Sequence, residues 1–148
     1  MAGLEVHVEH IVDRSPTDVW AFVVDGFFAN HPKWDPALIE CRPLDGSAVP
    51  PQAGTRGVEV RAFGGKQRAE FEVTEVDRGR YFAFRNTSGP FALERSYTFA
   101  PVERGTRVAF SFRMLPKGAM KFVFPLLRGT VREQVRTNIA RLARLLDA

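Results

Sequence analysis

The stretch from Gly118 to Asp147 constrains the fold of this chain more than any other. At about 100° of rotation per residue, Met120, Phe124, Leu127, Val131, Val135, Ile139, Leu142, Leu145 and Leu146 fall on one broad stripe. Arg132, Glu133, Arg136, Thr137, Arg141 and Arg144 fall outside it. A helix of this kind must lay its apolar stripe on another element. No earlier segment carries helical periodicity of comparable length, so the expected partner is a sheet.

The chain from Thr55 onward supplies the strands. Thr55 to Phe63 places Val58, Val60 and Ala62 on one face, and Gly64-Gly65 turns the chain. Lys66 to Asp77 sets Ala69, Phe71 and Val73 against Arg68, Glu70 and Glu72. Asp77-Arg78-Gly79 is the next turn, Arg80 to Asn86 the next strand with Phe82 and Phe84, and Ser88-Gly89-Pro90 turns again. Phe91 to Ala100 alternates cleanly, with Phe91, Leu93, Arg95, Tyr97 and Phe99 on one side. After Arg104-Gly105, Thr106 to Leu115 shows Val108, Phe110, Phe112 and Met114 on one face. These segments form an antiparallel meander with one apolar face.

Upstream, Leu4 to Val12 reads as a strand that loses phase at His10-Ile11-Val12. Ser15-Pro16 is an N-cap followed by proline at the first helical position, and Asp18 adds a negative charge to that turn. Val19, Trp20, Phe22 and Val23 give this helix an apolar face, and Gly26 ends it. Phe27 to Lys33 is a second short helix, stopped at His31-Pro32 and again at Asp35-Pro36. Ala37 to Arg42 is another strand, and the Pro/Gly/Ser-rich loop from Pro43 to Gly54 is expected to be mobile. Pro125 should bend the long helix, because it lacks a backbone donor.

The expected fold is therefore α+β: a curved antiparallel sheet of about seven strands wrapped around a long C-terminal helix, with two short helices after the first strand. At 148 residues the chain suits one domain spanning 1–148, able to bury roughly 70% of its unfolded surface. Thirteen phenylalanines, against two tyrosines and two tryptophans, supply ring surface with no polar atom to satisfy. Rings on a strongly curved sheet seldom meet a single helix without leaving a gap, so an internal apolar cavity is expected.

Charge and motifs exclude several classes. The net charge is +4, but the arginines are spread along the chain, which argues against nucleic acid. Cys41 is the only cysteine, which leaves no internal disulfide or cysteine-based metal cluster. His7 and His10 sit on opposite faces of a strand and His31 lies in the short-helix corner, so no metal site is expected. Nor is there a phosphate loop or a nucleophile–base motif, and no cofactor is expected. The N-terminus has no leader-like apolar run, and no stretch reaches membrane-spanning length, which predicts a cytoplasmic protein.

The strings VEHIVDRSPTDVWAFVVD, HPKWDP and GTRVAFSF, followed by a terminal amphipathic helix, resemble the START-related (SRPBCC, helix-grip) superfamily. Within it, the chain is most similar to the polyketide cyclase/dehydrase and lipid-transport family. The resemblance implies a cavity between the sheet and the long helix that holds a small hydrophobic or aromatic ligand, lipid- or polyketide-like. The family contains carriers, sensors and cyclases, so the likeness does not assign chemistry.

The expected cavity walls are Val60, Phe71, Phe84, Leu93, Phe110 and Phe112 from the strands, with Trp34 at the corner. The helix contributes Met120, Phe124, Leu127, Arg128, Val131 and Asn138. Arg95 interrupts the apolar face of the best strand, and a charge there must be paired or reach water. Two readings stand: Arg95 pairs with Glu75 or snorkels to an opening, or it joins Tyr97 in orienting a ligand carboxylate or phenolate. Trp34 either packs the corner or lines the cavity mouth. Asn138 sits inside the stripe, bonded to a strand backbone, a trapped water or the ligand, and Arg128 lies at the stripe's edge. Three functions follow from these residues. The first is a binding protein for a small hydrophobic ligand; the second is a cyclase in which Tyr97, Glu75 and Arg95 act as acid, base and oxyanion stabiliser. The third is a peripheral membrane or partner-binding module using the basic face of the helix. Oligomeric state, monomer or homodimer, is not legible here.

Overall fold

The computed structural model describes residues 3–44, 46, 50–62 and 65–148. Residues 45 and 47–49 of the expected Pro43–Gly54 loop, and 63–64 at the following strand end and turn, lie outside the described residues. The chain runs β1 (Leu4–Val12), α1 (Pro16–Trp20), a π-helical turn (Ala21–Asp25), α2 (Phe27–Trp34), β2 (Leu38–Pro43), β3 (Arg56–Ala62), β4 (Lys66–Asp77), β5 (Tyr81–Asn86), β6 (Phe91–Val102), β7 (Gly105–Pro116) and α3 (Met120–Asp147). Seven strands form one sheet in the order β1-β7-β6-β5-β4-β3-β2, and every neighbour is antiparallel. This is the curved sheet and long C-terminal helix of a helix-grip fold.

Local chemistry accounts for the element ends. Ser15 accepts a hydrogen bond from the Asp18 amide at 3.1 Å and caps α1. The helix then widens into a π turn in which the Gly26 amide reaches back to Ala21 O at 2.9 Å. Asn30 Nδ2 donates to the freed Phe22 carbonyl at 2.9 Å, which ties α2 to that turn. Contrary to the expectation at His31-Pro32, α2 continues through Pro32 to Trp34 and stops only at Asp35, before Pro36. One missing donor does not end a helix whose last turn buries His31 and Trp34. At the far end of the chain, Arg14 holds α3: its Nε donates to Leu146 O at 2.8 Å and its Nη2 to Ala148 O. A guanidinium at that position also opposes the negative end of the helix dipole.

Three parity readings need correction. β1 is regular throughout, paired from Leu4↔Met114 to Val12↔Thr106, so Ile11 simply points outward and is 62% exposed. In β3 the inward face is Gly57, Glu59 and Arg61, not Val58, Val60 and Ala62. Gly57 abuts the Phe71 and Phe28 rings, and Glu59 is 2% exposed. In β4 a bulge between Val73 and Glu75 reverses the alternation and leaves Glu75 exposed.

The sheet buries its inner face in two ways. Beneath α2, Phe27 meets Phe71, Phe82 and Phe84 at centroid separations of 6.0, 5.2 and 5.1 Å, mostly edge to face. Each such buried ring contributes roughly 2–3 kcal/mol. On the other side, α3 packs on β1, β7 and α2 through Val131, Val135, Ile139, Leu142 and Leu146. Leu145, placed in the stripe by periodicity, is 38% exposed, and Ala143 is buried instead. The helix thus covers only one side of the sheet, and the space beside it remains open.

Candidate functional site

That space is a cavity of about 860 Å³ between α3, the corner formed by α2, and the inner faces of β3 to β7. Leu93 and Tyr97 of β6 and Phe110, Phe112 and Met114 of β7 form its floor, and Val131, Val135 and Ile139 of α3 its roof. Its rim carries Gln67 and Arg68 from β4, and Gly129, Glu133 and Thr137 from α3, all exposed. The polar end lies under α2.

That polar end is a charge cluster whose groups mostly pair with one another, although among the described residues the buried Arg95 Nε, Asp35 Oδ1 and His31 Nδ1 have no hydrogen-bond partner. Arg95 donates through both terminal nitrogens to Glu59, Nη1 to Oε2 and Nη2 to Oε1, each at 3.1 Å, and also from Nη2 to Asn86 Oδ1 at 3.0 Å. Its guanidinium lies 4.4 Å over the Phe84 ring. Arg61 Nη1 donates to Asp35 Oδ2 at 2.7 Å and Nη2 to Glu59 Oε1 at 3.4 Å. His31 sits between the two carboxylates, 3.8 Å from each, with its ring 4.7 Å from Phe27 and 5.2 Å from Trp34.

Burial and neighbouring charge shift Glu59 and His31 in ways that follow from their partners. Burial alone would raise the Glu59 carboxyl, but the Arg95 charge, helped by Arg61 and His31, holds it well below the usual carboxylate range. His31 is driven the other way: loss of hydration outweighs the pull of Glu59 and Asp35 and lowers it to about 4. At neutral pH Glu59 is therefore a carboxylate and His31 a neutral imidazole. Tyr97 accepts a hydrogen bond from Trp34 Nε1 at 3.3 Å, and burial pushes its hydroxyl above the usual phenol range. Trp34 O in turn accepts from Arg141 Nη1 at 3.0 Å, which also reaches Asn138 Oδ1 at 3.0 Å.

The sequence-predicted residues divide clearly. Trp34, Leu93, Arg95, Tyr97, Phe110, Phe112, Val131 and Asn138 line the cavity. Phe71 and Phe84 do not; they are taken up by the aromatic core under Phe27. Val60 is outside because the parity of β3 is inverted. Met120, Phe124 and Leu127 also lie outside, since α3 meets the cavity from Leu126 to Arg141 and its first two turns pass the end, where Phe124 packs on Phe91 at 5.5 Å. Arg128 is half-buried beside the cavity, and its buried Nε has no hydrogen-bond partner among the described residues. Glu75 is on the opposite side of the sheet, so it neither pairs with Arg95 nor joins Tyr97. The partner of Arg95 is Glu59, which the apolar pattern of β3 concealed, together with Arg61, Asp35 and His31. The signal available was charge: an inward arginine requires an inward carboxylate, and Glu59 has the parity opposite to Val58 and Val60.

A His31 ring nitrogen, the Cys41 thiol and a Glu59 oxygen lie within 4.8 Å of one another. The cluster argues against a cation there: Glu59 is already bound by two guanidiniums, and burial raises the Cys41 thiol away from its ligating form.

The family model described as polyketide cyclase/dehydrase and lipid transport matches residues 3–147. The chain belongs to this family. No curated protein matches its sequence. Solved structures of similar fold include TTHA0849 from Thermus thermophilus, 21% identical over 95% of this chain and 94% of that one, with a TM-score of 0.75. Ara h 8.0201 is 12% identical over 97% of each chain, TM-score 0.69. The di-domain ARO/CYC StfQ of the steffimycin biosynthetic pathway is 10% identical over 98% of this chain, TM-score 0.72, and this family member spans 51% of it. Among the described residues, no helix is long and apolar enough to cross a membrane.

Proposed function

We propose that the chain binds a small hydrophobic or aromatic molecule in the cavity between the sheet and α3. The observation that carries this reading is the cavity itself: about 860 Å³, walled by Leu93, Tyr97, Phe110, Phe112, Val131 and Ile139. Sites for small organic ligands occupy roughly 300–1,000 Å³ and are mostly apolar with a few placed polar groups. The family's description, polyketide cyclase/dehydrase and lipid transport, supports lipid-like and polyketide-like molecules as candidates. Binding is favoured over acid–base chemistry by three features: Arg95 is engaged by Glu59, the Tyr97 hydroxyl is bonded to Trp34 and resists ionisation, and Glu75 faces away.

The test is titration of the purified protein with N-phenyl-1-naphthylamine, a neutral fluorescent probe, alongside native mass spectrometry. A saturable, blue-shifted fluorescence that Val135→Phe weakens at least tenfold is the expected result. No saturable binding, or binding unaffected by Val135→Phe, would overturn the assignment.

A further inference from the structure

The first two turns of α3 are unusual: Phe122 is 86% exposed and Leu126 83%, with Val123 at 44%. Scattered exposed apolar residues are normal, but three of them, Phe122, Val123 and Leu126, clustered at the start of one helix mark a contact surface. Phe122 and Leu126 are four residues apart and share one side of α3, and Leu126 also lines the cavity mouth. The apolar edge therefore continues into the opening.

Charge selects what covers this edge. Residues 117–136 hold Lys117, Lys121, Arg128, Arg132 and Arg136 against Glu133 alone. At about 100° per residue, Lys121 borders Phe122 on one side with exposed Pro125, and Arg132 and Arg136 continue that side about three and four turns further along α3. Among the described residues Lys117 and Lys121 are exposed and have no carboxylate partner, while Arg136 pairs with Glu133 at 3.7 Å on the surface. Bulky apolar side chains bordered by unpaired cations match an anionic bilayer surface: rings and methyls enter the headgroup boundary while the ammonium groups meet lipid phosphates. A second copy of this chain would bring the same cations against each other.

We propose that the start of α3, from Lys117 to Leu126, docks on an anionic phospholipid surface and turns the cavity mouth toward it. This surface is distinct from the charge cluster, and the proposal stands whether or not the cavity ligand is itself a lipid.

The test is co-sedimentation of the full chain with phosphatidylcholine vesicles containing either no phosphatidylglycerol or about a third of it. Binding to the anionic vesicles should be at least tenfold tighter and should be lost in 0.5 M salt, as screening of exposed charge requires. Phe122→Ser with Leu126→Ser should weaken it at least tenfold, with circular dichroism and thermal midpoint confirming the fold. Lys117→Glu with Lys121→Glu, which leaves the apolar edge intact, should weaken it by a similar factor. Absence of binding to anionic vesicles at low salt would overturn the proposal, as would unchanged binding of either double variant. A wild-type dimer in sedimentation velocity that Phe122→Ser with Leu126→Ser dissociates would assign the edge to a second copy and also overturn it.

Discussion

His31 should make this protein less stable as the pH falls from 6.5 to 4, and the size of the loss follows from its surroundings. The ring is 3% exposed, packed between Phe27 and Trp34, and 3.8 Å from the nearest oxygens of Asp35 and Glu59. Those carboxylates favour an imidazolium, but each is held by a guanidinium, and burial dominates, lowering His31 from 6.5 to about 4. The sign follows from proton counting. Below pH 6.5 the unfolded chain takes up a proton that the folded chain does not, so acid favours unfolding. The penalty stops growing once the folded state is also protonated, below about pH 4. At about 1.4 kcal/mol per pH unit, the loss is about 2 kcal/mol by pH 5 and about 3 kcal/mol by pH 4. Urea unfolding of wild type and His31→Gln across pH 4–8 isolates it, because every other titrating group is common to both. The wild type should lose more stability than the variant in that interval, by about these amounts. Parallel stability curves for the two proteins, or an imidazole that titrates near 6.5 by NMR, would refute the reasoning.

Two more perturbations probe the same architecture. Glu59→Ala leaves the Arg95 guanidinium, 4% exposed, with only Asn86 and the Phe84 ring. Chemical denaturation should show a loss of about 3–5 kcal/mol, whereas Glu59→Ala combined with Arg95→Met should recover much of it. Gly57→Ala would drive a methyl into the Phe71 ring, whose Cε2 lies 2.7 Å from the new carbon, with Phe28 Cε1 at 3.0 Å. Overpacking of this kind should lower stability by about 1–3 kcal/mol in the same assay.

Most of the architecture was legible because the sheet and α3 obey their periods. The alternation of β6 from Phe91 to Phe99 survives unbroken in burial, and the stripe from Val131 to Leu142 is buried against the sheet. Reading failed where a strand's inner face is not apolar. β3 lies at the polar end of the cavity, so its inward positions are a glycine, a glutamate and an arginine, and its valines mark the other side. The bulge after Val73 carries no glycine or proline to announce it, so Glu75 kept an apparent inward parity that the chain does not have. Arg95 was readable as an anomaly, but its partner depends on which strands neighbour β6 across the curved sheet, and that is a property of the closed fold. The extent of the cavity was hidden for a similar reason. Periodicity marks the buried side of α3 and leaves Phe122 and Leu126 off it, but it does not show that the cavity begins only at Leu126.

The charge cluster explains why a cavity of this size can persist. Apolar side chains around a void gain contacts by moving into it, which is why a deleted core methyl group is only partly compensated by relaxation. Here the wall under α2 cannot drift in that way. Asp35 at the end of α2 is fixed to Arg61 of β3, Glu59 of β3 to Arg95 of β6, and Arg95 to Asn86 of β5. Each bond has narrow geometry, and each broken bond would strand a charge. Exchanging the set for leucines could match its stability, since a buried ion pair is weak support for a fold, but leucines would not hold α2 at a set distance from the sheet. On the opposite wall, Arg141 of α3 ties the Trp34 carbonyl to Asn138, so α2 is held from both sides. The apolar floor and roof between these ties are then free to present rings and methyls to a ligand without having to meet each other.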